Sequence, residues 1–256
     1  MRIGSLFSGI GGLELGLEWA GVGHTVWQVE RDPFCRQVLA KHWPDAVRHD
    51  DVRTVCAHNL EPADVICGGY PCQPFSTAGH RKGADDPRHL WPEFARIIRE
   101  MGPRYVVLEN VANHLAIGFG DVLGDLADLG YDAEWRVLYA SDAGAPQRRS
   151  RLFAIAYHRG QRVEGFLPRV RPSDAWGEGF QGSRRAAFVR ELAAAPFDDG
   201  RGWPAPLLRV VDDGIPLRLA KRRVHAAGNA VVPQVAAVVG RRLLEIDAAL
   251  RQESAA

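Results

Sequence analysis

The chain has 256 residues, 46% hydrophobic and 25% charged, with a formal net charge of +1, which suits one soluble α/β domain plus a small appendage. No apolar run approaches ~20 residues, so no membrane span or membrane partner is expected, and the opening MRIGSLFSGIGG lacks the features of a signal peptide. The cysteines at 35, 56, 67 and 72 form no CxxC pair and no zinc-spaced cluster, which argues against a disulfide framework or a metal site and for the reducing cytoplasm.

Taken in order, Arg2–Phe7 reads as a strand, and Ser8-Gly9-Ile10-Gly11-Gly12 follows it and opens a helix over Leu13–Ala20. Such loops sit where α/β sheets hold nucleotide-like ligands, although glycines alone also suit a tight turn. The spacing is not the GxGxxG of dinucleotide binders. A second strand, His24–Val29, ends at Glu30, where an acid can accept hydrogen bonds from ribose hydroxyls. A helix over Pro33–His42 follows, and then Asp51, placed to accept from an adenine amino group.

The buried run Ala63–Cys67 leads into Gly68-Gly69-Tyr70-Pro71-Cys72-Gln73-Pro74-Phe75-Ser76. Cys72 thus lies beyond a strand's carboxyl end, in a turn stiffened by prolines. A core role suits Cys35, Cys56 and Cys67 better than it suits this thiol. Ser76–His89 is polar and glycine-bearing, an exposed loop. A helix over Leu90–Met101 precedes the strand Tyr105–Glu109, whose terminal carboxylate needs a partner or a task. After a helix over Gly120–Leu129 and a strand over Ala133–Leu138 come Gln147-Arg148-Arg149-Ser150-Arg151 and the strand Leu152–Ala156. If that run is extended, Gln147, Arg149 and Arg151 share one side.

Strands alternating with helices predict a mostly parallel sheet covered on both faces. The alternation stops at Tyr157, and residues up to about Ile215 are rich in Gly, Pro, Arg and Trp. Residues 1–157 hold 16 Lys+Arg against 20 Asp+Glu, whereas 158–256 hold 16 against 11. The excess is mostly arginine, which suits phosphate and guanine edges, although an unevenly charged solvated surface would look the same. A last helix is expected near Val232–Leu250.

In this order the motifs LFSGIGG, Glu30, Asp51-Val52, GGYPCQPFS, LENV, QRRSR and GNAVVPQVA resemble those of the DNA cytosine-5 methyltransferases, most closely the short bacterial and phage members. The resemblance covers roughly residues 2–157 and 216–245. It implies a Rossmann-like S-adenosylmethionine-dependent methyltransferase sheet formed by 1–157 and 216–256. Residues 158–215 would form a small irregular target-recognition lobe.

The resemblance also implies roles. Phe7 would touch the donor's adenine, Gly9, Gly11 and Gly12 its methionine part, Glu30 its ribose and Asp51 with Val52 its adenine edge, while Asn229 would close that pocket. Cys72 would attack a flipped-out cytosine, Glu109 would grip the base edge, and Arg149 and Arg151 would position it. Pro71, Gln73, Ser76, Asn110 and Gln147 would also meet the substrate, with Ser76, Arg81, Lys82 or Arg88 on phosphates. Double-stranded DNA, a cognate restriction endonuclease and a monomeric state are expected. Two departures stand out: Ser5 occupies the usual place of an acid, and RVVDDGIPLRLAKRRVHAAGNA matches only loosely.

Three other readings stay open. A tRNA cytosine-5 methyltransferase would use the same chemistry. A Cys–His hydrolase would pair Cys72 with His80 or His89. A non-catalytic DNA-binding relative is the third, against which the intact Cys72, Glu109 and Arg149 speak.

Overall fold

The computed structural model describes residues 1–71, 90–143, 149–158 and 229–253. The strands are β1 (Arg2–Leu6), β2 (His24–Val29), β3 (Val47–His49), β4 (Val65–Gly68), β5 (Tyr105–Val111), β6 (Tyr131–Tyr139) and β7 (Ser150–His158). The helices are α1 (Gly12–Trp19), α2 (Pro33–His42), α3 (Trp91–Met101), α4 (Phe119–Asp128) and α5 (Pro233–Glu253). The strands form one sheet in the order β3-β2-β1-β4-β5-β7-β6. β1 to β5 pair in parallel, whereas β7 runs antiparallel to both neighbours and places Arg151 opposite Val111.

The expected α/β class and mostly parallel sheet are present. Within the described residues the expected elements shift by at most three residues at their ends, and β3 is an addition. The expected recognition lobe lies almost wholly outside the described residues.

Apolar side chains cover both faces. One cluster joins Ile3, Val65, Val107 and Ile155 to Leu13 and Leu17 of α1 and to Val235, Val239 and Leu243 of α5. The other joins Leu6, Ile66, Val106 and Ala154 to Phe94 and Ile98 of α3 and to Val122 and Leu126 of α4. α2 starts where Asp32 accepts hydrogen bonds from the amides of Phe34 (2.7 Å) and Cys35 (3.2 Å), with Pro33 in the first turn.

α5 is held on the sheet by two polar contacts as well as by apolar burial. Arg242 donates in fork geometry to Glu134 of β6 (2.9 and 3.1 Å), both side chains being buried. Asp247 accepts from Arg104 (2.6 Å) and from the Tyr105 hydroxyl (2.9 Å). α5 lies tightly against α1: a methyl group on Gly16 would collide with Ala236 and the Pro233 carbonyl.

Gly16→Ala is therefore expected to destabilise the protein by about 1–3 kcal/mol in urea unfolding, since the α1–α5 contact must open to admit it. Gly124→Ala in α4, with open space around it, should be neutral or stabilising by about 0.5–1 kcal/mol. Equal effects at the two positions would contradict this packing.

Candidate active site

β1 is flanked by β2 on one side and β4 on the other, so the chain leaves β1 and β4 towards opposite sides of the sheet. The crevice beyond their carboxyl ends is where open α/β sheets hold ligands. The loop after β1 and the loop after β4 form its two lips.

The first lip is shaped by backbone conformation. Phe7, Gly9 and Gly11 all have positive φ (56°, 56° and 85°), and at Phe7 that conformation costs of order 1–3 kcal/mol. Glu30 holds the loop: one carboxylate oxygen accepts from the Gly9 amide and the other from the Asp32 amide, each at 2.7 Å. Each oxygen retains a lone pair for a hydroxyl. Gly12 lies under the Val231 carbonyl, which leaves no room for a side chain. Asp51 caps the short 3-10 turn Val52–Thr54 by accepting from the Arg53 amide at 3.0 Å. The Val52 side chain is buried with Val55 and Leu60, so a ligand beside it would meet its backbone. Asn229 is exposed, just ahead of Ala230 and Val231. A glycine-lined loop beside two carboxylates with acceptor capacity suits an adenosine ligand.

The second lip is described as far as Pro71, which is exposed. Cys72, Gln73, Ser76, Arg81, Lys82, Arg88 and Gln147 lie outside the described residues. The backbone leading to Cys72 is pinned from below. Asn110 donates to the Tyr70 carbonyl at 3.1 Å and accepts from the Val111 amide at 2.8 Å. Asn110, expected to meet substrate, also positions the backbone here. The Tyr70 hydroxyl donates to His114 Nε2 at 2.7 Å, while His114 Nδ1–H donates to the Ile117 carbonyl at 2.8 Å. That carbonyl can only accept, so this histidine is the Nδ1–H tautomer. The Tyr70 ring also packs on Trp91, with centroids 5.1 Å apart.

Glu109 lies at the junction of the lips. It is 7% exposed, and a methyl group on Gly69 would stand 2.6 Å from its carboxylate. Arg151 Nε is 3.0 Å from Glu109 Oε1, yet that oxygen receives no aligned hydrogen bond. Burial pushes the Glu109 carboxyl up to about 7, against the opposing pull of Arg151 and Arg149. Arg149 stands outside β7 and donates to the Ala230 carbonyl at 2.8 Å. The two arginines thus diverge: Arg151 faces Glu109, and Arg149 ties the start of β7 to the segment that covers Gly12.

The structure brings Glu109, Arg151 and the backbone ahead of Cys72 together at one lip, and Gly9, Gly11, Gly12 and Glu30 at the other. Sequence reasoning missed Gly69, Tyr70, His114 and the Ala230–Val231 backbone. The doubled glycine beside the cysteine was the signal for the first; nothing local marked the others.

Residues 1–181 match the family model described as C-5 cytosine-specific DNA methylase, and the chain belongs to that family. It is 40% identical over 154 residues to the type II methyltransferase M.NgoMIV of Neisseria gonorrhoeae, covering 58% of this chain and 49% of that one. It is 33% identical over 171 residues to the type II methyltransferase M.HhaI of Haemophilus parahaemolyticus, covering 65% and 52%. The chain thus spans about half the length of these relatives. Among solved structures, it resembles a prophage-encoded E. coli protein described as a DNA modification methyltransferase (29% identity, TM-score 0.54, covering 69% of this chain and 54% of that one). The S. pombe Dnmt2 methyltransferase shares the fold (19% identity, TM-score 0.57, covering 84% and 66%). Among the described residues no helix is long and apolar enough to cross a membrane, and no side-chain group is arranged to hold a metal.

The raised Glu109 carboxyl has a consequence for stability. Between about pH 4.5, its ordinary value, and about 7, the folded protein holds a proton the unfolded chain has lost, so stability falls as pH rises through that window. Glu109→Gln should flatten this fall, by up to about 3 kcal/mol at pH 8 and by almost nothing at pH 4. Urea midpoints at the two pH values check it; a variant with an unchanged pH slope would contradict the assigned burial.

Proposed function

We propose that this chain transfers a methyl group from S-adenosylmethionine to carbon 5 of a cytosine in DNA. The observation that carries this reading is the buried, proton-retaining Glu109 wedged against Gly69, three residues before Cys72. Carbon 5 of cytosine is a poor nucleophile. Addition of the Cys72 thiolate to carbon 6 turns the ring into an enamine, and splits one hard step into easier ones. Bound beside the glycine loop, the donor supplies the electrophilic sulfonium methyl.

The described residues suit the charge movements. Protonated Glu109 donates to ring nitrogen 3 as negative charge builds there, and a carboxyl near 7 is available for this at neutral pH. A free thiol has a pKa of roughly 8.5 and needs a cation nearby to ionise. Arg151 pairs with Glu109, so when Glu109 is neutral the guanidinium charge is released towards the Cys72 lip. After transfer, a base removes the proton at carbon 5 and Cys72 leaves carbon 6.

The target base must leave the duplex, which costs a few kcal/mol. The polar segment 76–89 and the arginines of 158–223 supply groups suited to phosphates. The names of M.NgoMIV and M.HhaI as type II methyltransferases, with the family's description as DNA methylases, favour DNA over tRNA as substrate and a modification role beside a cognate endonuclease.

Incubation with plasmid and donor, followed by bisulfite sequencing, should reveal 5-methylcytosine at a defined site, with no transfer to tRNA. Cys72→Ser should abolish transfer while donor binding persists. An oligonucleotide with 5-fluorocytosine at that site should become cross-linked to the wild-type protein; active protein that forms no adduct would sink the covalent mechanism.

A further inference from the structure

Glu14, in the first turn of α1, is fully buried. The hydroxyls of Ser5 and Ser8 and its own amide are within reach of its carboxyl, yet neither oxygen receives an aligned hydrogen bond. Ser8 belongs to the glycine loop, and its hydroxyl lies 2.9 Å from that of Ser5. Cys67 of β4 and Glu18, one turn further along α1, are the other ionisable groups acting on this carboxyl. No cation among the described residues acts on it.

The other acids around the loop already hold hydrogen-bond donors. Glu30 accepts one amide on each oxygen, from Gly9 and Asp32, and keeps its remaining lone pairs towards the ribose side. Glu18 accepts from the Thr25 amide and hydroxyl and from the Trp43 indole. Residues 5–12, Ser5 to Gly12, carry no charge of their own. A buried carboxyl without a partner is costly unless it stays neutral or meets a cation. The methionine part of the proposed donor brings an ammonium group to this loop, and the amino end of α1 favours an anion beneath it.

Resting on that donor reading, we infer that Glu14 is a positioning residue for the donor's amino-acid ammonium, acting through the Ser5–Ser8 hydroxyl pair. Burial holds its carboxyl at about 7 without ligand; an arriving ammonium favours the ionised form, and the proton goes to solvent.

The test compares calorimetric binding of S-adenosylhomocysteine, which carries the ammonium, with 5′-methylthioadenosine, which lacks the amino-acid part. Glu14→Gln should weaken the first by about tenfold and leave the second within about twofold of wild type. Proton release on binding S-adenosylhomocysteine at pH 6.5, read from buffers of different ionisation heat, should disappear in the variant. Equal weakening of both ligands, or no change in either, would overturn the inference and leave the donor reading intact. Wild-type protein that binds neither ligand would instead remove the donor reading, and this inference with it. Should Glu14→Gln fail to fold, Ser8→Ala is expected to narrow the same ratio of affinities, and an unchanged ratio overturns the inference.

Discussion

The candidate site depends on keeping one carboxylate out of water beside a guanidinium. Glu109 lies near the end of β5, paired with Phe153 of β7, and a side chain on Gly69 would press on its carboxylate. Solvent would return Glu109 to an ordinary, permanently ionised acid locked to Arg151. Burial instead leaves it balanced between two protonation states, and that balance is what a base edge with a changing charge requires.

A second constraint joins the lips. The backbone at Ala230–Val231 accepts from Arg149 and lies directly over Gly12, and α5, which follows it, packs closely along α1 at Gly16, with its own Gly240 against Leu17 and Ala20. The glycines of α1 therefore act in packing as much as in ligand approach. The long C-terminal helix is fastened to β5 and β6 by Asp247 and Arg242, so the segment it carries reaches the crevice with little freedom.

Much of this was legible in the chain. Among the described residues, alternating apolar runs and helix periods located six of seven strands and all five helices to within about three residues at each end, because each has enough residues to express its period. Val47–His49 was missed because three residues cannot show alternation and two of them are polar. Glycines, prolines and terminal acids marked the lips, since special backbone conformations and strand-end carboxylates leave local traces. The hydrogen bond from Tyr70 to His114, 44 residues away, leaves none. Neither does the burial of Glu14, which depends on what α1 packs against. The hydrogen bond from Asn110 to the Tyr70 carbonyl, 40 residues away, likewise leaves no local trace.

The direction of β7 carries a consequence of its own. Because it runs against β5, its first residues arrive at the rim where β5 ends, and Arg151 falls opposite Val111. A parallel strand of the same nine residues would deliver Arg151 to the far rim, roughly 30 Å away. Reversal thus turns sequence distance into adjacency, but it makes adjacency depend on phase. One residue inserted within β7 would turn Arg151 to the opposite face without altering the chain's composition, so length variation belongs outside this strand.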